Sequence, residues 1–461
     1  MTLDYASASA AAEAVRAGAI SAVELLDLTF KRIDRHNPRL NAIVWQCRDE
    51  AMARAREADE RLADGTAAGP LHGVPVTIKE SFAYRGSANA WGMPPLQHAL
   101  SPRSAVAVER LESAGAIVVG KTNVPVMLSD WQSDNPIHGT SNNPWDLART
   151  PGGSTGGGAA AVAAGLGYLT LGSDFVGSIR IPSHFCGVYG HKPSLNLVSM
   201  TGFQPGPWDG SPGYPMDLAV VGPIARSAHD LALALAVLAG PERDDAAAWT
   251  WRMPAPRHPH LENFRIGYVM DDAAAPVTAD VAAVYEGALS ELARSGAMLE
   301  RGWPEGFDLR AQLETFQFLL MALINADSKQ PAELHARWLH ETQRRLKVRA
   351  LWQTYFRKHD VFLLPTTVTA AFPHDRSEIG SRTIETPEGK RPYLQQVPFW
   401  IIVATLAGLP ATVAPVGLTR DGLPVGLQIV APMWEDGTSI EFAALLAERI
   451  GGFTPPPGFA E

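Results

Sequence analysis

The sequence predicts an α/β fold, a mixed, largely parallel sheet between helical layers, and three observations carry that expectation. Short apolar runs of strand length recur at 74–78, 116–121, 168–171, 266–270, 361–365 and 425–430, each bounded by breakers or charged residues. Stretches with helical patterning at 105–114, 159–164, 231–238 and 281–295 alternate with them, the signature of helices packed on a sheet. The chain has 461 residues, 46% of them hydrophobic and 19% charged, enough to bury a large core. No internal repeat or Pro/Ser-rich linker divides it, so residues 1–461 are expected to form one domain.

Taken in order, residues 21–24 read Ser-Ala-Val-Glu, a capping box opening a helix with Leu25, Leu26, Leu28, Phe30 and Ile33 on its apolar side, expected to end near His36-Asn-Pro. A charge-laced helix at 51–62 follows, closed by Asp64-Gly65. The apolar strand at 74–78 delivers Lys79 at its carboxyl end, an unusual place for a cation. The next segment, 150–191, organises the chain. Gly156, Gly157 and Gly158 read as a loop entering an Ala-rich helix at 159–164, which places Ser154 beside a helix N-terminus, where negative charge is favoured. A short strand at 168–171 then presents Asp174 and Ser178 beyond its end. Residues 202–216, rich in Gly, Pro and aromatics, are expected as an irregular loop. Residues 371–394, polar and breaker-rich, are expected as a long unstructured segment and a candidate lid, with a disordered surface insertion as the alternative.

Composition excludes several classes. A net charge of −9 without clustered Lys and Arg argues against nucleic acid and against an acidic membrane surface. Two uncharged stretches, 150–173 and 396–419, are interrupted by glycine or by Pro398, Pro410 and Pro415, so neither reads as a membrane span. Cys47 and Cys186 stand far apart with no metal-ligand spacing, which indicates neither a disulfide framework nor a zinc site. The N-terminal residues lack a basic and then apolar signal pattern, so the expectation is a cytoplasmic protein.

A serine attacks only when a base removes its proton. Lys79, if desolvated, is lowered toward neutrality and can be that base; Ser154 can pass a proton; Ser178 can attack. The backbone N–H groups of Phe175, Val176, Gly177 and Ser178 lie on a glycine-containing turn suited to an oxyanion. Each residue also has a plain structural reading: a surface lysine after a strand, a helix N-cap, a turn serine. Asp174, Arg180, His184 and His191 lie close in sequence, and the histidines are read as hydrogen-bonded structural residues.

Residues 149–194 resemble the amidase signature hydrolases. That family's G-G-S-S-G-G, D-x-G-G-S-I-R-x-P and C-G-x-x-G-x-K-P patterns are matched at 152–157, 174–182 and 186–193, and the similarity extends to 69–80, 120–125, 143–146 and 398–432. The resemblance implies an α/β/α sandwich, no cofactor, and a Ser–cis-Ser–Lys site in which Ser178 matches the nucleophile, Ser154 the serine after a cis peptide, and Lys79 the base. It implies hydrolysis of C–N amide bonds through an acyl-enzyme, with esters and carbamates (urethanes) chemically accessible to the same apparatus. This chain departs from the pattern at Glu80, Thr155, Phe175 and Val176. The aromatic residues Trp131, Trp208, Tyr214, Phe399 and Trp400, together with Phe175 and Thr155, are expected around the nucleophile, which suggests an apolar or aromatic small-molecule amide or carbamate substrate; a homodimer is compatible with this.

Three rivals stand beside this reading. Gly152-Gly-Ser154-Thr-Gly156 fits the G-x-S-x-G elbow of an α/β-hydrolase esterase using Ser154, although residues 143–151 read as turn where an elbow needs a strand. An amidotransferase component working within a complex is a second. A non-catalytic binding protein on a hydrolase fold, motivated by Val176, is the third.

Overall fold

Apolar runs too short for helices and rich in Val, Ile and Leu form fully buried strands, and in the computed structural model they assemble around the segment carrying Lys79. The structure describes residues 3–66, 69–211, 216–242, 244–324 and 333–459. Its strands are β1 (Ile43–Gln46), β2 (Pro75–Lys79), β3 (Ile117–Thr122), β4 (Asp134–Asn135), β5 (Gly139–Thr140), β6 (Leu169–Asp174), β7 (Tyr189–Lys192), β8 (Val220–Ala225), β9 (Arg265–Tyr268), β10 (Met298–Arg301), β11 (Val361–Pro365), β12 (Thr383–Thr386), β13 (Gly389–Pro392), β14 (Ala411–Leu418) and β15 (Pro424–Val430). Among the described residues, eleven form one mixed sheet in the order β1-β3-β2-β6-β8-β7-β14-β15-β11-β9-β10, while β4/β5 and β12/β13 are two-stranded ribbons. Pairing is parallel where β2 lies between β3 and β6 and where β9 joins β10 and β11. From β6 through β8, β7, β14 and β15 to β11 the neighbours run antiparallel. Helices flank the sheet, among them Gly156–Ala163 against β2 and β6, and Ala228–Leu238 and Asp436–Ile450 against β7, β8 and β14.

The parallel placement of β2 beside β6 positions the site. Register Ile78↔Leu171 brings the carboxyl ends of both strands to one edge, so Lys79 at the end of β2 faces Ser173 and Asp174 at the end of β6. Every residue of β2 and β6 is buried.

Three expectations are corrected. The first long helix does not stop at His36-Asn-Pro but spans Ala22–Leu40 with Pro38 inside its last turn, and closes at Asn41 in the left-handed conformation. Asn37 makes this possible by accepting the N–H groups of Ala42 and Ile43. The glycines 156–158 are not a loop but the first turn of Gly156–Ala163. A Cβ at Gly157 would lie 2.5 Å from Asn123 N and 2.7 Å from Ala42 O, so glycine serves close backbone approach there. Residues 371–394 are not unstructured: they hold the β12/β13 hairpin with register Ile384↔Arg391 and the helix Tyr393–Gln396. Polar side chains that read as loop-like find partners across the fold, including a reciprocal pair in which Gln132 donates to Asp375 O and accepts from Asp375 N, both at 2.9 Å.

The helices Leu309–Ile324 and Glu333–Tyr355 pack on each other and on Phe399–Ala407. Leu218, Phe316, Leu319, Ile402 and Leu406 form a second apolar cluster apart from the main core, and Phe175 and Val176 pack against it. No helix among the described residues is long and apolar enough to cross a membrane.

Candidate active site

Burial dominates the chemistry of Lys79. Its side chain is fully buried, and its Nζ lies 2.6 Å from Ser154 Oγ and 2.9 Å from Ser173 Oγ. Desolvation lowers the ammonium from 10.5 to about 7, with the negative charges of Asp174 and Glu80 opposing that fall. Near pH 7 the amine is therefore divided between a cation and a free base. Ser173 escaped the sequence reading; its signal is its place one residue before Asp174 on a strand parallel to that of Lys79.

Ser154 follows a cis peptide bond with Gly153 and is buried. Ser133 holds the loop around it by donating to Gly152 O and accepting from Gly156 N, both at 3.1 Å. Across from this loop, Thr155 N donates to Ser178 O at 3.1 Å, joining the two serine segments. No strand leads into Ser154: residues 141–153 are turn and loop, unlike the strand-turn-helix of a nucleophile elbow.

Ser178 closes a turn built on a buried ion pair. Asp174 accepts from Gly177 N, Ile179 N and Arg180 N, while Arg180 Nη2 meets Asp174 Oδ1 at 2.8 Å. Arg180 spends its remaining donors on Ile401 O, Gln428 Oε1 and Thr405 Oγ1. Both residues are wholly buried, a state that costs several kcal/mol unless each charge is paired and hydrogen-bonded. Burial alone would raise the Asp174 carboxyl; the Arg180 guanidinium outweighs it and holds the group below its usual value. Gly177 has φ +86°, a conformation that glycine adopts freely. Among the described residues, Ser178 Oγ has no hydrogen-bond partner, so its hydroxyl is unengaged beside the occupied Lys79–Ser154 pair. Of the four N–H groups named as oxyanion donors, that of Gly177 is taken by Asp174; those of Phe175, Val176 and Ser178 donate to no described residue.

The expected pocket residues divide. Trp131 lies at the turn, its Nε1 donating to Val176 O at 2.7 Å. Phe175 and Val176 meet the apolar cluster from Leu309–Ile324 and Phe399–Ala407. Thr155 does not line a pocket: it is fully buried, its hydroxyl donates to Ser173 O, and its methyl faces Gly158 and Gly172. Trp400 points into the core, stacked on Trp303 at 6.2 Å, with Phe399 edge-on to it at 5.2 Å. From that helix Ile401 approaches the nucleophile turn instead, its Cγ1 2.9 Å from where a Gly177 Cβ would stand, because successive helical residues diverge by about 100°. Trp208 donates to Ser211 O and packs on Gly202; Tyr214 lies outside the described residues. The buried cluster of Leu218, Phe316, Leu319, Ile402 and Leu406, against which Phe175 and Val176 pack, was missed. The 3.6-residue spacing of Leu313, Phe316 and Leu320 signals a helix, but only the tertiary fold packs it against Phe175 and Val176.

His184 is buried between Gly426 and Thr369 carbonyls and lowered to about 4 by burial. His191 joins Thr412 to Asp436. Both are structural.

The sequence profile described as Amidase matches residues 24–333 and 310–440. The chain belongs to the amidase family. As a member it is an amide-bond hydrolase. It is 33% identical to the indoleacetamide hydrolase of Bradyrhizobium diazoefficiens, over 95% of this chain and 86% of that one. It is 32% identical to the acylamidase of Rhodococcus erythropolis, over 96% of this chain and 95% of that one. A glutamyl-tRNA(Gln) amidotransferase component from Anaeromyxobacter sp. is 33% identical over 96% of both chains. The solved structure of a 6-aminohexanoate cyclic dimer hydrolase with its substrate superposes at TM-score 0.81, with 26% identity and full coverage of both chains.

Proposed function

We propose that this amidase hydrolyses small amides bearing an apolar or aromatic group, through an acyl-enzyme on Ser178. The observation that carries the reading is the 2.6 Å approach of the buried Lys79 Nζ to Ser154 Oγ, with the amine lowered to about 7. In its neutral form Nζ accepts the Ser154 proton and donates to Ser173. Ser154 then takes the proton of Ser178 as Ser178 Oγ bonds to the substrate carbonyl carbon, and the oxygen becomes an oxyanion facing the N–H groups of Phe175, Val176 and Ser178. The C–N bond breaks as Ser154 returns a proton to the leaving amine, and water repeats the sequence on the acyl-enzyme.

The proposed substrate class rests on the apolar surroundings of the turn. Phe175 and Val176 pack against a buried, uncharged cluster that includes Leu218, Phe316, Leu319 and Ile402, which supports an apolar substrate group beside the turn. The match to an indoleacetamide hydrolase supports an aromatic amide. The match to an amidotransferase component motivates a second reading, in which the chain acts only within a complex.

The test is a hydrolysis panel of matched anilide, primary amide, ester and aryl carbamate with purified protein. Unaided release of amine from the anilide, lost in Ser178→Ala, is expected. Turnover that survives Ser178→Ala overturns the nucleophile, and no turnover without partner chains favours the second reading.

A further inference from the structure

The peptide joining Val176 to Gly177 is held at both ends by groups outside the proton relay. Its N–H donates to Asp174 Oδ1 at 2.9 Å, and its carbonyl accepts from Trp131 Nε1 at 2.7 Å. A peptide unit is planar, so fixing both ends stops the unit from rotating about its flanking Cα atoms. That rotation would re-aim the neighbouring N–H groups of Val176 and Ser178. The restraint falls where it is needed, because Gly177 lacks a Cβ to resist it.

Trp131 is itself held. Its backbone N–H donates to Asp130 Oδ1 at 2.7 Å, and its ring meets Tyr393 edge-on at 5.3 Å. The same Asp130 accepts from Tyr393 Oη at 2.8 Å and from Arg382 Nη1 at 2.6 Å. Arg382 and Tyr393 flank the β12/β13 hairpin, and Arg382 Nε closes the arrangement on Ser377 O at 2.8 Å. A continuous chain of short polar contacts thus runs from the hairpin through Asp130 and Trp131 to the nucleophile turn. Its charged members are largely buried, at 11% and 16% side-chain exposure, where such contacts are strong and directional.

We propose that Trp131 is a positioning residue that sets the Val176–Gly177 peptide and thereby the oxyanion donors, and that Asp130, Arg382 and Tyr393 hold it in place. This rests on the assignment of the 175–178 turn to oxyanion stabilisation made above. Trp131→Phe keeps an aromatic ring and removes the N–H. Loss of a whole oxyanion donor costs roughly a hundredfold to a thousandfold in kcat, and a misaimed turn costs less. Trp131→Phe is expected to lower kcat on the anilide about tenfold or more, with KM nearly unchanged and the pH midpoint unmoved, because Lys79 is untouched. An unchanged kcat, or a loss confined to KM, overturns the proposal and makes Trp131 a pocket wall.

Arg382→Ala is expected to lower kcat in the same way and Arg382→Lys to restore most of it; wild-type kcat in Arg382→Ala overturns the outer part of the brace. Amide hydrogen exchange over residues 175–180 supplies a readout that needs no turnover. Faster exchange in Trp131→Phe supports the brace and unchanged exchange overturns it. Absence of Ser178-dependent hydrolysis in the wild type would instead refute the hydrolase reading.

Discussion

Lys79 must be uncharged to act, so the pH dependence of kcat/KM measures its environment directly. Burial takes the ammonium from 10.5 to about 7. At pH 7 about half of the lysine is neutral, against about one molecule in three thousand for an unshifted side chain. Initial rates on the anilide at low substrate, from pH 5 to 10, are expected to rise through a single midpoint near 7 and then level off. Lys79→Arg keeps a cation that does not deprotonate, and it is expected to be inactive throughout. Lys192 is also lowered by burial to about 7, with Arg180 assisting, but its Nζ donates to Pro193 O; Lys192→Met is expected to keep the midpoint. The same shift predicts stability. The folded-state value lies below the unfolded one, so Lys79 opposes folding below 10.5, and the opposition grows as the pH falls toward 7 and is complete below it. Lys79→Met is therefore expected to stabilise the protein most below pH 7 and not at all above 10.5. A kcat/KM midpoint at 9 or higher, or activity in Lys79→Arg, refutes the free-base reasoning.

Asp174→Asn leaves the wholly buried Arg180 without its countercharge, and a loss of about 3–5 kcal/mol is expected from denaturant unfolding. Gly177→Ala brings a Cβ within 2.8 Å of Ile181 Cδ1 at φ +86°; a stability loss of about 1–3 kcal/mol and a collapse of kcat are expected in paired melting and rate measurements. Phe316→Ala removes a buried side chain of the cluster against which Phe175 and Val176 pack. It is expected to cost about 3–5 kcal/mol and to raise the kcat/KM ratio of bulky over small acyl groups, read from an anilide series.

Much of the site was legible because its chemistry sits on strand ends and glycine turns, where local sequence constrains the backbone. Lys79 after an apolar strand, and Asp174 and Ser178 beyond another, carry their own geometry once β2 and β6 pair in parallel. Aromatic residues were less legible. Composition places Trp400 near the nucleophile, yet helical rotation turns Trp400 onto Trp303 and presents Ile401. The hairpin at 383–392 was hidden for a related reason. The segment around it is tied at Asp375, Arg382 and Tyr393 to Asp130 and Gln132, more than two hundred residues away in the chain, and no local pattern reports such contacts. Thr155 shows the converse: adjacent to Ser154 and at the start of the helix Gly156–Ala163, its hydroxyl turns inward to Ser173 O rather than to the helix N-terminus.

The most direct measurement is peptide mapping of the covalent adduct after a serine-reactive aryl phosphonate, with Lys79→Ala as control. The account predicts modification of Ser178 in the wild type and a much slower reaction without Lys79. An adduct on Ser154, or equal labelling with and without the lysine, would contradict it.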